Sequence, residues 1–264
     1  MTRFFQESPW WVLIIVWFVF FSAWSVISRL GVRRAPEHDR RAELAEYAGK
    51  TLNPIGAVFA FLIGFAATMT WSALNAGQEA VDSQAAAAQQ LAWSTKSISD
   101  TTGVAEVVGN LTRYLNVEVN QDIPLLARGQ VTDLPSAPAY DLLQHSVHNV
   151  AYKVGTSGSE AGAMTAAAAA LTDTQSKITA VAQRSLPALL IGLLVAAGVL
   201  LALAMGAAAA EVRRPYLMYG WAAVSAIALT LILTLDGPFR GIIAVNMNPL
   251  IQVSDSLAAT PIRK

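Results

Sequence analysis

The sequence predicts an all-α, polytopic membrane protein with four transmembrane helices and a helical domain inserted between the second and third. Three observations lead there. The 264 residues are 54% hydrophobic and only 14% charged, against about 25% charged in a typical soluble domain, and the mean hydropathy is +0.44. Residues 8–28, 51–78, 185–210 and 215–235 contain no Asp, Glu, Lys or Arg, and each run reaches the roughly 20 residues that a helix needs to cross the hydrocarbon. Finally, a stretch of mixed polarity, 76–184, separates the second run from the third. Lipid offers backbone groups no partners, so each uncharged run must satisfy its own hydrogen bonds, as a helix does.

The first two spans, near 9–30 and 53–75, make a unit of residues 1–75 with a short basic loop. Arg3 precedes the first apolar run, as in a signal peptide, but the run is long and aromatic (Trp10, Trp11, Trp17, Phe18, Phe20, Phe21, Trp24) and no small-residue cleavage site follows. It reads as an uncleaved anchor, with Trp10 and Trp11 at an interface. Residues 76–98 continue the second span with good helix formers, and a continuous helix over 54–98 would be about 67 Å long at 1.5 Å per residue. Residues 104–120 and 139–153 read as amphipathic helices, joined by a loop over 121–138 that holds Pro124, Gly129, Pro135 and Pro138. The Ala-rich stretch 158–184 is expected to run straight into the third span, near 186–208. The fourth follows near 216–235, so 185–235 forms the second membrane pair. The remaining segment, 236–264, opens with Asp236-Gly237-Pro238. Its apolar part, 241–253, is too short to span and is read as an interfacial or re-entrant segment or as a tail packed on the protein itself.

Charge gives an orientation. Arg29, Arg33, Arg34, Arg40, Arg41 and Lys50 surround the first loop, and Arg213 and Arg214 sit in the third; by the positive-inside rule both loops are cytoplasmic. Segment 76–184, with 6 basic and 10 acidic residues, then lies outside with both termini. Gly-, Ala- and Arg-rich usage suits a bacterium and hence its plasma membrane.

The 18 basic and 18 acidic residues cancel, so no basic field suggests nucleic acid. The absence of cysteine removes disulfides, thiolate metal sites and cysteine nucleophiles. No nucleophile elbow, phosphate-binding loop, dinucleotide fingerprint or zinc-protease helix occurs, and no enzyme activity or cofactor is expected. Asp141, His145 and His148 share a helix face and have metal-ligand chemistry, but no further ligand stands at a telling spacing, so they read as a polar face. No span has a charged residue near its centre, which argues against a proton-driven pump.

The second span has the most pattern. Gly56, Ala60, Gly64 and Ala67 form a stripe of the kind that lets membrane helices approach closely. On a neighbouring face stand Ala57, Phe61, Phe65 and Thr68. Copies arranged about an axis would stack Phe61 and Phe65 as apolar rings, a geometry that gates channels by dewetting, whereas in a single copy they are ordinary lipid-facing or interhelical rings. Glu79 and Asp82, just beyond the membrane end, would repeat as acidic rings at a pore mouth or serve as a solvated helix face.

Gly64-Phe65 in the second span, Glu79-Ala80 after it, Tyr114 within 109–116 and the closing Leu235-Asp236-Gly237-Pro238-Phe239-Arg240-Gly241 resemble the bestrophin-like family of bacterial membrane proteins. The likeness covers about residues 50–258. It departs at Gly237, where the family commonly has Arg, and in 72–78, which lacks the family's basic residues. The resemblance implies a distant kinship with bestrophins, pentameric anion channels whose second helix lines the pore with apolar rings. It thus makes Ala57, Phe61, Phe65 and Thr68 pore-lining candidates and Glu79 and Asp82 mouth candidates. It also implies a cytoplasmic location for the segment between the second and third spans, the reverse of the charge reading. Asp236, Pro238, Phe239 and Arg240 are expected to be a structural turn, the Asp236 carboxylate capping it and pairing with Arg240. Two functions follow: a homo-oligomeric, pentameric ion channel in the lipid bilayer, or a non-conducting sensor or accessory subunit whose helical domain binds a protein partner.

Overall fold

A computed structural model describes residues 9–34, 38–155, 158–239 and 243–259. Among these residues the chain is built of helices joined by turns, without strands. Four helices are long and apolar enough to cross a membrane. The chain divides into two units, the first made of Met1–Trp71 and Ser185–Asp236, the second of Ser72–Arg184 and Gly237–Lys264.

In the first unit, α1 (Trp10–Arg33) packs against α7 (Ala188–Ala208) and α8 (Tyr216–Leu235). The opening part of α2 (His38–Ser94) completes it. At 57 residues, or about 85 Å at 1.5 Å per residue, α2 begins well before the expected start at 54. It absorbs most of what reads as a basic loop and carries Pro54 within it, which a membrane helix tolerates because neighbouring groups re-satisfy the freed carbonyl. Phe59 and Ala66 of α2 pack with Leu190, Leu194 and Leu201 of α7 and Leu229 of α8. Close approach occurs away from the small-residue stripe: a methyl at Gly198 would meet the rings of Phe21 and Phe59, and one at Gly206 would overlap the backbone of Ser25. Gly64, in the stripe, has open space around it. At the far end of α7, Arg33 Nε donates to the Ala210 carbonyl at 2.7 Å, and Arg29 donates to the carbonyls of Ala209 and Val212 at 3.2 and 2.5 Å. These cations meet the negative end of the helix dipole.

The Ala-rich helix does not run into the third span. It ends as α6 (Ser159–Ala182), and α7 starts afresh after Pro187. Pro187 has no N–H to give and disfavours helical geometry at Leu186. The free N–H of Leu186 goes to Asp236 Oδ1 at 2.6 Å.

In the second unit, the remainder of α2 joins α3 (Thr101–Val117), a π-turn (Glu118–Asp122), α4 (Ile123–Ala127), α5 (Ala137–Val154), α6 and α9 (Asn248–Ala259). Asp100 caps α3 by accepting from the Gly103 N–H at 3.1 Å. Val81, Leu91, Val107, Leu111, Leu143, Met164 and Leu171 form the core. The C-terminal segment belongs to this core: Leu250 and Val253 of α9 are buried in it, α9 lies against α3, and Gln78 of α2 exchanges hydrogen bonds with the backbone of Asn246.

Candidate functional site

The candidate pore face of α2 is turned away from the helices of its own unit. Phe61 is 69% exposed and Phe65 50%, while Phe59 and Ala66, on the opposite side, are 5% and 0%. The two exposed rings stack, with centroids 6.3 Å apart and planes 11° from parallel. Ala57 and Thr68 are exposed as well, and the Thr68 hydroxyl returns its proton to the Gly64 carbonyl at 2.9 Å, so it presents no unsatisfied donor. The four residues stand at helical spacings of four, four and three and share one uncovered side of the helix.

In the second unit, α2 continues the same rhythm with Ser72, Asn75, Glu79 and Asp82, all exposed. The stripe changes there from apolar to polar and acidic. Asp82 accepts from the Gln78 amide at 3.0 Å, which fixes its carboxylate one turn after Gln78.

The closing motif divides its labour. Asp236 accepts the Leu186 N–H in the first unit, a partner fifty residues upstream that the spacing did not reveal. In the second unit, Phe239 is buried in the core, the Pro238 carbonyl accepts the Val245 N–H at 2.8 Å, and Pro238 and Val245 both lie over Gly77, where any Cβ would strike Val245. Arg240 lies outside the described residues.

Asp141, His145 and His148 stand on α5, where His145 Nδ1 lies 3.0 Å from the Asp141 backbone carbonyl. With Gln144, Thr165 and Thr172 the two imidazoles line an open groove between α5 and α6. Among the described residues no group of three or more His, Cys, Asp or Glu could hold a metal ion.

Sequence reading missed a buried polar cluster in the second unit. Gln84 of α2, Tyr114 of α3 and Asp122 are fully buried, and Glu118 nearly so. The Gln84 amide nitrogen lies 2.8 and 3.0 Å from the two Glu118 carboxyl oxygens, 2.9 Å from the Tyr114 hydroxyl and 3.0 Å from Gln175 Oε1 of α6. Tyr114 also donates to Gln175 Oε1, at 3.1 Å, and its ring lies 5.3 Å from that of Tyr140 on α5. Asp122, at the other end of the π-turn, takes the Ser136 N–H on Oδ1 at 3.1 Å, while its Oδ2 and Gln84 Oε1 are buried without a hydrogen-bond partner. Burial raises the pKa of all three acids: Glu118 is pushed up to about 7, against the opposing hydrogen bonds of Gln84 and Tyr114, and Asp122 and Tyr114 stand above their ordinary values. One signal was available. Tyr114 and Glu118 lie one turn apart, as do Leu111 and Leu115, so the acid falls on the apolar side of its helix.

An uncovered apolar stripe on a long helix, in an all-helical chain with four membrane-length helices, defines a class of polytopic helical membrane proteins. The bestrophin-like domain matches residues 19–250, and the chain belongs to the bestrophin-like family. Two solved structures of a bacterial bestrophin homologue from Klebsiella pneumoniae, each carrying one mutation, share the fold. They cover 90% and 93% of this chain and 97% of their own, with TM-scores of 0.69 and 0.71 and 12% identity in both. No match was found among curated proteins.

Proposed function

We propose that this protein is a homo-oligomeric, pentameric ion channel of the bacterial plasma membrane, with α2 lining the axis and the second unit forming an extramembrane domain. The observation that carries the reading is the exposure of Phe61 and Phe65, stacked and turned away from the other helices of their unit. Around an axis these residues, with Ala57 and Thr68, form a dry neck that gates by excluding water. The family likeness supports the same helix and carries anion conduction with it. The residues at the mouth weigh the other way, because rings of Glu79 and Asp82 draw cations and repel anions.

The mass and symmetry of the purified particle test the assembly: a closed ring of five supports the channel, and a strict monomer overturns it in favour of a non-conducting accessory or sensor role. In reconstituted bilayers, Phe61→Ala and Phe65→Ala should each raise conductance by widening and wetting the neck. Unchanged currents in both would remove the two residues from the pore. Replacing Glu79 and Asp82 with Gln and Asn should lower cation preference. The chain has no cysteine, so one placed at the exposed Ser99 reports which side residues 76–184 occupy. Labelling by an impermeant maleimide on intact cells fits the side that the loop charges favour, and protection fits the side that the family likeness favours.

A further inference from the structure

The Glu118 carboxyl is buried in a polar cluster that, among the described residues, holds no cation. The two amide hydrogens of Gln84 and the one phenolic hydrogen of Tyr114 face four oxygens that lie within 3.0 Å of the amide nitrogen: both Glu118 oxygens, the Tyr114 hydroxyl and Gln175 Oε1. The Tyr114 hydrogen goes to Gln175 Oε1 and the amide hydrogens of Gln84 are left for the carboxyl, so an ionised Glu118 is a charge taken out of water and faced by neutral dipoles alone, which is costly. A proton on Glu118 removes that charge. The groups facing the carboxyl are Gln84 from α2, Tyr114 from α3, Gln175 from α6 and Asp122 from the π-turn itself, with Tyr140 of α5 behind Tyr114. Among the described residues no ion pair reaches Glu118; Asp173 and Lys177, which flank Gln175, pair with each other at 2.7 Å on the surface. An ionised Glu118 would therefore sit uncompensated beside Asp122, whose own Oδ2 has no hydrogen-bond partner.

The backbone here is irregular. Glu118–Asp122 is a π-turn between two α-helical stretches, a form that is rare and recurs at functional sites. Gln84, which grips the carboxyl, belongs to the helix that also carries Phe61, Phe65, Glu79 and Asp82.

We propose that Glu118 is a proton-operated latch: neutral, it lets the π-turn stay packed in the core beside Gln84 of α2, and ionised, it draws the turn open toward water. Burial pushes the carboxyl toward neutral pH, so the latch works in the range a bacterial membrane protein meets. Its consequence for current rests on the channel reading; the latch itself does not.

The test is hydrogen exchange on the full chain in nanodiscs, at pH 6 and pH 8, on either side of the Glu118 pKa of about 7, with rates corrected for the intrinsic pH dependence of amide exchange. Amides of 114–126 should exchange about tenfold faster at the higher pH as the segment opens locally, and Glu118→Gln, which is neutral throughout, should abolish the difference. An unchanged wild-type protection pattern, or a difference that survives in a folded Glu118→Gln, overturns the latch. Should that variant fail to fold, infrared spectra of Asp122→Asn decide, since the stretch of a neutral carboxylic acid must fade between the two pH values, and its absence or constancy overturns the proposal. Currents recorded at the same pH values separate the two readings: pH-dependent exchange in a protein that never conducts keeps the latch and removes the channel.

Discussion

Among the described residues of the first unit the buried polar side chains are hydroxyls, those of Ser25, Thr70, Ser225 and Thr230, in an interior that includes Phe21, Phe59, Ala202 and Ala222, whereas the second unit buries Gln84, Glu118 and Asp122 in an interior of Ala, Leu and Val. Their surfaces differ in the same direction. The first unit exposes Leu189, Leu217, Val224 and Phe61, which costs nothing where the solvent is hydrocarbon, and a hydroxyl can close on its own helix, as Thr70 does on Ala66 at 3.1 Å. A membrane interior gains no hydrophobic drive from burying apolar groups away from lipid, so its helices depend on close fit, with Gly198 and Gly206 admitting neighbouring atoms. The second unit gains stability by removing apolar surface from water, and that surplus can carry a polar cluster that the membrane part does without.

If that contrast is right, a shape change should hurt the first unit most and a charge change the second. Gly206→Ala forces a methyl into the Ser25 backbone, which cannot rotate away; a loss of about 3 kcal/mol or more is expected, seen as loss of monodisperse protein. Gly64→Ala, with open space around it, should leave the fold within about 0.5 kcal/mol. Next comes Glu118→Gln. The folded pKa of about 7 stands above the ordinary 4.5, so between those values the native state holds a proton that the unfolded chain has released. Wild-type stability therefore falls as pH rises from 4.5 to about 7 and is flat above. The variant should lack that slope and gain on the order of 3 kcal/mol relative to wild type at pH 8 but none at pH 4, read from melting temperatures across pH. Asp236→Ala, which leaves the Leu186 N–H without its acceptor, should cost about 1–2 kcal/mol and lower the melting temperature. The smallest effect is expected for Lys153→Ala. Its 3.3 Å pair with Asp100 is exposed on the Lys side, so under about 0.5 kcal/mol should be lost.

The membrane helices were legible because lipid enforces a strong rule on composition, and each apolar run coincides with a helix. The exposed face of α2 was legible from spacing, since Ala57, Phe61, Phe65 and Thr68 follow the helical period. What sequence could not show was long-range pairing. The hydrogen bond from Leu186 to Asp236, the seating of Pro238 over Gly77 and the convergence of Gln84, Tyr114, Glu118 and Gln175 each join residues far apart in the chain. The small-residue stripe at Gly56–Ala67 was visible, but the close approaches fall at Gly198 and Gly206, because small size permits contact without specifying it. The expected continuation of α6 into α7 fails for a local reason: Pro187 interrupts the helix that the Ala-rich run before it favours.

The grip of Arg29 and Arg33 on the end of α7 has a consequence for how this protein can evolve. Both guanidiniums hold main-chain oxygens, those of Ala209, Ala210 and Val212, and every amino acid supplies that oxygen. The side chains of Ala209 and Val212 are therefore open to change while the two arginines are not, and Ala210 is kept small by its own burial. A library randomised over Ala209 and Val212 should return many working sequences, and one randomised at Arg29 and Arg33 should return almost none.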